Sequence, residues 1–172
     1  MENITIRSVS AADYKTIQTI GKQTFQETFA DSNSEENMEN YLSESFSDEK
    51  IIGELENTDS LFFIAEEGDH VIGYLKLNTG NAQTELQDTE ALEIERIYVS
   101  SSHHGKKVGQ LLYEKAVETA VLKGKDSIWL GVWEENKRAM RFYEKNGFAP
   151  FNKHIFKMGD DKQTDIMMRK SL

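Results

Sequence analysis

Apolar residues follow two periods along this chain, one typical of strands and one typical of helices. In the first half, apolar residues alternate within 3–9 and lie at helical spacing after Ser10. Serine is a residue type that caps helix N-termini. A later apolar stretch is interrupted by Gly68 and Asp69, which indicates a hairpin turn. The predicted elements are a strand over 3–9, helices over 11–25, 34–46 and 47–57, and two strands within 60–78.

The second half of the chain alternates strands with helices. Strands are predicted over 91–100, 126–133, 147–159 and 164–172, and helices over 108–123 and 136–146. The strand-helix-strand order predicts locally parallel pairing, whereas the hairpins on either side predict antiparallel pairing. We therefore expect an α/β fold with a mixed, mostly antiparallel sheet flanked by helices. A length of 172 residues suits a single domain.

Charge and composition narrow the classes of partner. The chain has 30 acidic and 20 basic residues and a formal net charge of −10. This charge argues against a nucleic-acid partner and permits a cationic one, although solubility alone also explains an acidic surface. Without cysteine, disulfides and thiol chemistry are excluded. Because there is no long apolar run and no leader pattern, we expect a cytoplasmic protein without a membrane partner.

The segment that joins strand 91–100 to helix 108–123 is the first candidate for chemistry. Gly105 and Gly109 stand at the start of this helix, where free backbone N–H groups and the positive end of the helix dipole favour a phosphate. Glycine is also used at such turns for steric reasons alone. This segment by itself therefore predicts either a phosphate loop or an ordinary entry into a helix.

Two carboxylates precede that loop. Strict alternation places Glu93 and Glu95 on the same face of the strand as Ile97 and Val99. Carboxylates beside a helix N-terminus can accept a proton or hold a cation. A polar stripe on the solvent side of a strand explains the same two residues equally well.

The helix predicted over 136–146 carries the second candidate motif. Ala139, Phe142 and Tyr143 lie at helical spacing, so the helix packs its apolar face on the sheet with Tyr143 as a core aromatic. Core packing does not explain Asn136 at its start or the pair 147–148, Gly-Phe, at its end.

These two segments together resemble the GNAT superfamily of N-acetyltransferases. The family's later helix has the form Asn-x-x-Ala-x-x-x-Tyr followed by Gly-Phe, and this chain matches it completely. The family's loop has the form Gln/Arg-x-x-Gly-x-Gly/Ala, and here these positions are His104, Lys107 and Gly109. Lys107 therefore stands where glycine is usual. Backbone N–H groups can still face a pyrophosphate if Lys107 keeps helical or turn dihedrals and turns its side chain outward.

The resemblance implies one GNAT domain over 1–172, a sheet splayed at the cofactor site, acetyl-CoA as co-substrate and no metal. By the same resemblance Glu95 accepts the proton of the acceptor amine, directly or through a water. Glu93 is the second choice as base, or a second anchor for the cation. Tyr143 then donates a proton to the leaving thiolate. The residues expected at the cofactor are Ile97, Tyr98, Val99, His104, Gly105, Lys106, Lys107, Val108, Gly109, Gln110, Asn136 and Tyr143.

Longer segments are similar to bacterial spermidine/spermine N-acetyltransferases of the PaiA type. They span 24–42, 92–99, 128–148 and 154–168. This similarity implies a small-molecule polyamine as acceptor, which the acidic charge allows. An amino-acid or peptide amine stays open as the acceptor. A non-catalytic role as an acyl-CoA-binding regulator also stays open, and so does assembly as a homodimer. The residues expected to line the acceptor side, each of which also suits a core or solvent position, are Phe25, Glu27, Phe29, Tyr41 and Glu93.

Overall fold

This computed structural model describes residues 3–172, which contain five α-helices and seven β-strands. The strands are β1 (Ile4–Ser8), β2 (Ser60–Glu67), β3 (His70–Asn78), β4 (Ala91–Val99), β5 (Ser127–Trp133), β6 (Ala149–Met158) and β7 (Asp161–Ser171). The helices are α1 (Tyr14–Phe29), α2 (Glu35–Ser45), α3 (Asp48–Glu56), α4 (Val108–Leu122) and α5 (Lys137–Lys145). Every predicted element is present in the predicted order.

All seven strands belong to one sheet, in the order β1-β2-β3-β4-β5-β7-β6. Only β4 and β5 run parallel, and the other five neighbouring pairs are antiparallel. The expected mixed, mostly antiparallel sheet is therefore confirmed. The outer strand β6 contains Pro150, whose missing N–H is tolerated at a sheet edge, and a bulge lies between Pro150 and Asn152.

The parallel pair separates halfway along its length. Pairing between β4 and β5 begins at Ala91 with Ser127 and ends at Ile94 with Leu130, although β4 continues to Val99 and β5 to Trp133. We call the place beyond Ile94 and Leu130 the strand fork. Since backbone polar groups need partners, the sides of β4 and β5 that face this opening are available to a ligand.

Each face of the sheet has its own core. Helices α4 and α5 cover one face, where Leu92 and Ile94 of β4 pack with Leu112 and Tyr143. Helices α1, α2 and α3 cover the other face, which includes Tyr98 of β4 in its cluster. The strand fork is thus an opening between two packed layers.

The face of β4 that carries Glu95 differs from the prediction. Lys76 pairs with Arg96 while its neighbour Leu77 pairs with Ile94, so Glu95 is an extra residue in a β-bulge. The bulge breaks the alternation on which the prediction relied. Ile97 packs on the α4 side, whereas the Glu95 carboxylate bonds to Lys76 and Arg96 on the opposite face. The prediction that Glu95 shares a face with Ile97 was wrong, whereas Glu93 and Glu95 both accept hydrogen bonds from the Asn78 amide.

Candidate active site

A cavity of about 1210 Å³ opens at the strand fork. Its lining includes every residue predicted from the sequence to bind the cofactor, to act in catalysis or to face the acceptor, with the exception of Lys106. The two motifs and the acceptor-side residues are distant in sequence, so their meeting in one cavity is a property of the fold. The role of each residue stays a prediction.

The loop before α4 has the backbone that a phosphate loop requires. Gly105 and Lys107 take positive φ values of 80° and 67°, and Lys107 is the one non-glycine residue with positive φ among residues 3–172. Lys107 is also the N-cap of α4 in the left-handed conformation. Lys107 therefore adopts a conformation that favours glycine, at a cost of about 1 kcal/mol. Of the helical or turn dihedrals considered from the sequence, Lys107 takes the left-handed ones that occur in turns.

Open space lies beside the glycines of this loop. A Cβ on Gly105 would meet nothing within 4 Å, and one on Gly109 would meet only a Val99 methyl group at 3.9 Å. The first N–H groups of α4 have no partner within the helix and point to this side. The two glycines therefore leave open space beside the N-terminus of α4.

Side-chain hydrogen bonds fix the same loop to its surroundings. His104 donates from Nε2 to the Val99 carbonyl at 2.9 Å, which closes the turn after β4. Glu27 of α1 accepts from the Ser101 backbone N–H at 3.0 Å and from its hydroxyl at 2.8 Å. Glu27, predicted to face the acceptor, thus also holds the loop against α1.

Helix α5 contributes one cap and one phenol. Asn136 caps α5 by accepting from the Ala139 N–H at 3.2 Å. Capping therefore explains Asn136, and core packing explains Ala139. Tyr143 is 7 % exposed and lines the cavity. Burial raises the pKa of the Tyr143 hydroxyl above its ordinary value, so this group stays protonated at neutral pH.

Basic side chains gather at the end of the cavity formed by α4 and α5. Lys107, Arg138 and Lys145 line this part, which we call the basic end. Gln110 and Asn146 join the start of α4 to the end of α5 through hydrogen bonds of 3.2 and 3.3 Å. Three cations and a helix N-terminus on one rigid unit suit an anionic nucleotide.

Glu95 is held by more partners than the sequence indicated. Its carboxylate lies 2.7 Å from the Lys76 ammonium and 3.1 Å from the Arg96 guanidinium, and it accepts from Asn78 at 2.8 Å. Burial alone would raise the pKa of the Glu95 carboxyl. The charges of Arg96 and Lys76 and the hydrogen bonds outweigh burial and lower this pKa to about 2.

Glu93 is buried, at 2 % exposure, and is fully engaged. It accepts from the Thr84 backbone N–H and from the Asn78 amide, each at 2.9 Å, and from the Thr84 hydroxyl at 2.5 Å. Burial raises the pKa of the Glu93 carboxyl, and these hydrogen bonds oppose the rise. The partners of Glu93 anchor the polar loop between β3 and β4 to the sheet.

Aromatic rings form a wall on the face covered by α1 and α2. Phe25 stacks on Tyr41 with ring centroids 4.4 Å apart and contacts Phe29 at 4.5 Å. Phe29 reaches Trp133 of β5 at 5.2 Å, and Tyr41 reaches Phe156 of β6 at 5.8 Å. All five rings line the cavity. They are both core residues and a surface on which a cation can rest.

Several residues of the cavity were not among the predicted ones, including Glu85, Trp133, His154 and Asp165. Glu85 and His154 lie 3.0 Å apart, and Asp165 and Trp133 are directly paired across β7 and β5. Glu85 lies in a segment that the sequence identified only as a polar loop. We call Glu85, Glu93, Glu95 and Asp165 the acidic end of the cavity. No local spacing links these positions, so only the order of the strands reveals the group.

Neither a membrane span nor a metal site is found within residues 3–172. No helix of this region is long and apolar enough to cross a bilayer. No three side chains of the His, Asp and Glu types lie there in a way that would hold a metal ion.

Comparisons with known proteins agree with this geometry. Residues 22–148 match the model of the acetyltransferase (GNAT) family. An uncharacterised N-acetyltransferase encoded in the pepI 3′ region of Lactobacillus delbrueckii subsp. lactis is 38 % identical over 172 residues, covering 100 % of this chain and 99 % of that protein.

Two further similarities involve Thermoplasma acidophilum. A spermidine N(1)-acetyltransferase of this organism is 29 % identical and covers 98 % of this chain and 97 % of its own length. The crystal structure of the PaiA N-acetyltransferase in complex with coenzyme A has a TM-score of 0.81 at 28 % identity, with 99 % of both chains covered. The chain therefore belongs to the acetyltransferase (GNAT) family and is an N-acetyltransferase with acetyl-CoA as co-substrate.

Proposed function

We propose that this enzyme acetylates a primary amine of a polyamine such as spermidine or spermine, by direct attack of the amine on the thioester. The observation that carries the proposal is the division of the cavity. Lys107, Arg138 and Lys145 line the part formed by α4 and α5, with Glu114 and Glu135 beside them, and four carboxylates with Arg96 and an aromatic wall line the part formed by the sheet, α1 and α2. A coenzyme A anion suits the first end, and a polycation suits the second.

The basic end and the loop before α4 hold the pyrophosphate of acetyl-CoA. The cations and the N–H groups at the start of α4 bind it, and the thioester then extends toward the strand fork. A backbone N–H of β4 between Ile97 and Val99, beyond the last residue that pairs with β5, stabilises the oxyanion that forms on attack. The protein therefore supplies position and dipoles at the reacting carbon.

Tyr143 protonates the leaving thiolate. Its hydroxyl is kept protonated by burial, which raises its pKa, and it lines the cavity. A neutral phenol beside a departing thiolate can supply one proton, and the buried phenol carries no charge before the transfer. Asn136 sets the start of α5 and thereby the position of the Tyr143 ring about two helix turns further on.

Glu95, the base expected from the resemblance, is a weak proton acceptor in this environment. Its pKa is lowered to about 2, whereas a primary amine has a pKa of about 10. Direct transfer of the amine's proton to Glu95 is then uphill by about 11 kcal/mol. Glu95 is better suited to fixing Lys76 and Arg96 at the fork, because proton transfer from the amine to Glu95 is opposed by the difference between their pKa values.

A polyamine fits the acidic end better than a peptide does. A diamine carries positive charge at both ends, and the second ammonium finds the aromatic faces and the partly exposed Glu85 carboxylate there. The spermidine acetyltransferase of T. acidophilum, similar over nearly the whole chain, supports the same acceptor class. A peptide acceptor would call for groups that bind its backbone.

Thiol release from acetyl-CoA tests the proposal. The acceptors are spermidine, spermine, putrescine, lysine and short peptides, and a reaction without acceptor is the control. We expect rapid release with spermidine and spermine. Release with peptides alone would refute the polyamine acceptor, and tight acetyl-CoA binding without release to any amine would refute amine acetylation.

A further inference from the structure

Asp165 is the one carboxylate of the acidic end whose function the fold leaves unexplained. It lies on β7, paired with Trp133 of β5 and with His154 of β6, and it lines the cavity. Within residues 3–172 its carboxylate has no hydrogen bond and no ion pair, in contrast to Glu85, Glu93 and Glu95. A half-buried carboxylate without a donor is costly to the fold.

Gly131 leaves space between Asp165 and the strand fork. Gly131 follows Leu130, the last residue of β5 that pairs with β4, so Gly131 stands at the strand fork. A Cβ on Gly131 would come within 3.7 Å of an oxygen of the Asp165 carboxylate. The absent side chain therefore gives this carboxylate access to the fork.

We infer that Asp165 binds the acceptor ammonium at the fork and takes the proton that the amine must lose before it attacks. This inference rests on the proposed acetyl transfer to an amine. Asp165 is thus a catalytic residue, whereas Glu95 is a positioning residue that acts through Lys76 and Arg96.

The protons and electrons balance over the reaction. The ammonium gives one proton to the Asp165 carboxylate, and the neutral nitrogen attacks the thioester carbonyl carbon to form the C–N bond. The C–S bond then breaks, and its electron pair leaves on sulfur. Tyr143 protonates the thiolate and regains a proton that the nitrogen releases as the amide forms. Asp165 returns its proton to solvent.

The electrostatic surroundings of Asp165 suit this role. Burial raises the pKa of the Asp165 carboxyl to about 6, with His154 opposing the rise and Glu85 adding to it. Glu93 and Glu95 face the same cavity from β4, and Glu135 faces it from the loop before α5. A base with this pKa is ionised at neutral pH and has a higher proton affinity than Glu95.

The test compares Asp165→Asn with Asp160→Asn, which removes an exposed carboxylate in the turn between β6 and β7. The readout is kcat/KM for spermidine against pH. In the wild type we expect a rise with an apparent pKa near 6, because the amine itself does not titrate there. Asp160→Asn should keep this profile. In Asp165→Asn, kcat/KM should be about 100-fold lower than in the wild type near pH 7. It should recover toward about pH 10, because free amine becomes abundant there.

Two further measurements separate catalysis from structure. Asp165→Glu, which keeps a carboxylate, should retain the rise in kcat/KM. An acceptor amine made less basic by fluorine substituents, already neutral at the assay pH, should restore activity to Asp165→Asn alone. A deficit that is the same at every pH, or no deficit, would overturn the assignment. If the wild type acetylates no amine at all, the proposed function itself fails.

Discussion

The two ends of the cavity are built in different ways. The basic end comes from two contiguous segments, the loop before α4 and the helix α5, joined by hydrogen bonds between Gln110 and Asn146. The acidic end collects side chains from β4, β7 and the polar loop that precedes β4. A ligand shared by a whole family can be held by local motifs, whereas a ligand that distinguishes its members is recognised by residues that only the tertiary fold brings together.

Removal of the Tyr143 hydroxyl should produce the largest effect on turnover. Tyr143→Phe takes away the proton donor to the thiolate, so we expect kcat to fall by about 100-fold or more while coenzyme A binds normally. Tyr113→Phe is the matched control, because the Tyr113 hydroxyl accepts from Lys170 and lies outside the cavity lining. Full kcat in Tyr143→Phe would disprove the acid assignment.

Glu95→Gln should damage the fold. The substitution leaves Lys76 and Arg96, whose side chains are only 7 % and 14 % exposed, with Glu54 as their remaining counter-charge. We expect a loss of about 2 to 3 kcal/mol in the free energy of unfolding, measured in urea near neutral pH.

The pH dependence of this loss has a definite sign. The pKa of Glu95 is lowered from 4.5 to about 2 in the folded state, so its contribution is complete above 4.5 and disappears as the pH falls toward 2. The difference in the free energy of unfolding between Glu95→Gln and the wild type should disappear as the pH falls from 4.5 toward 2. A gap that persists at the acid end would show that lost packing, not lost charge, is responsible.

Asp165→Asn should stabilise the fold while it impairs turnover. Burial raises the pKa of Asp165 from 3.8 to about 6, so its ionised form is disfavoured in the folded state and the penalty is complete above 6. After a discount for its partial exposure, we expect a gain of about 1 kcal/mol near pH 8 and none below 3.8. Equal thermal stability of both proteins at both pH values would contradict this account of Asp165.

Lys107→Gly should give the smallest effect and separates strain from binding. Glycine takes the left-handed conformation of residue 107 without a penalty, so the free energy of unfolding should rise by up to about 1 kcal/mol. Loss of the cation should weaken coenzyme A binding a few-fold, measured by calorimetry. Tighter binding would show that the lysine side chain obstructs the loop.

Much of this architecture could be predicted from sequence because its signals are local. The helix motif from Asn136 to Phe148 and the loop from His104 to Gly109 are contiguous, and both lie in the elements expected of them. The face of Glu95 was missed because a β-bulge depends on the register with the neighbouring strand. Asp165 was missed because its neighbours come from β5, β6 and the loop before β4, which no spacing in the sequence connects.

The most direct test of the central claim compares spermidine with butylamine, which presents one primary amine and no second charge. The measurement is kcat/KM for thiol release from acetyl-CoA by the wild-type enzyme at equal pH and ionic strength. If the acidic end recognises a polycation, spermidine should be favoured by at least about 10-fold, and the advantage should shrink as salt is added. Equal values for the two amines at low salt would contradict the division of the cavity on which this account depends.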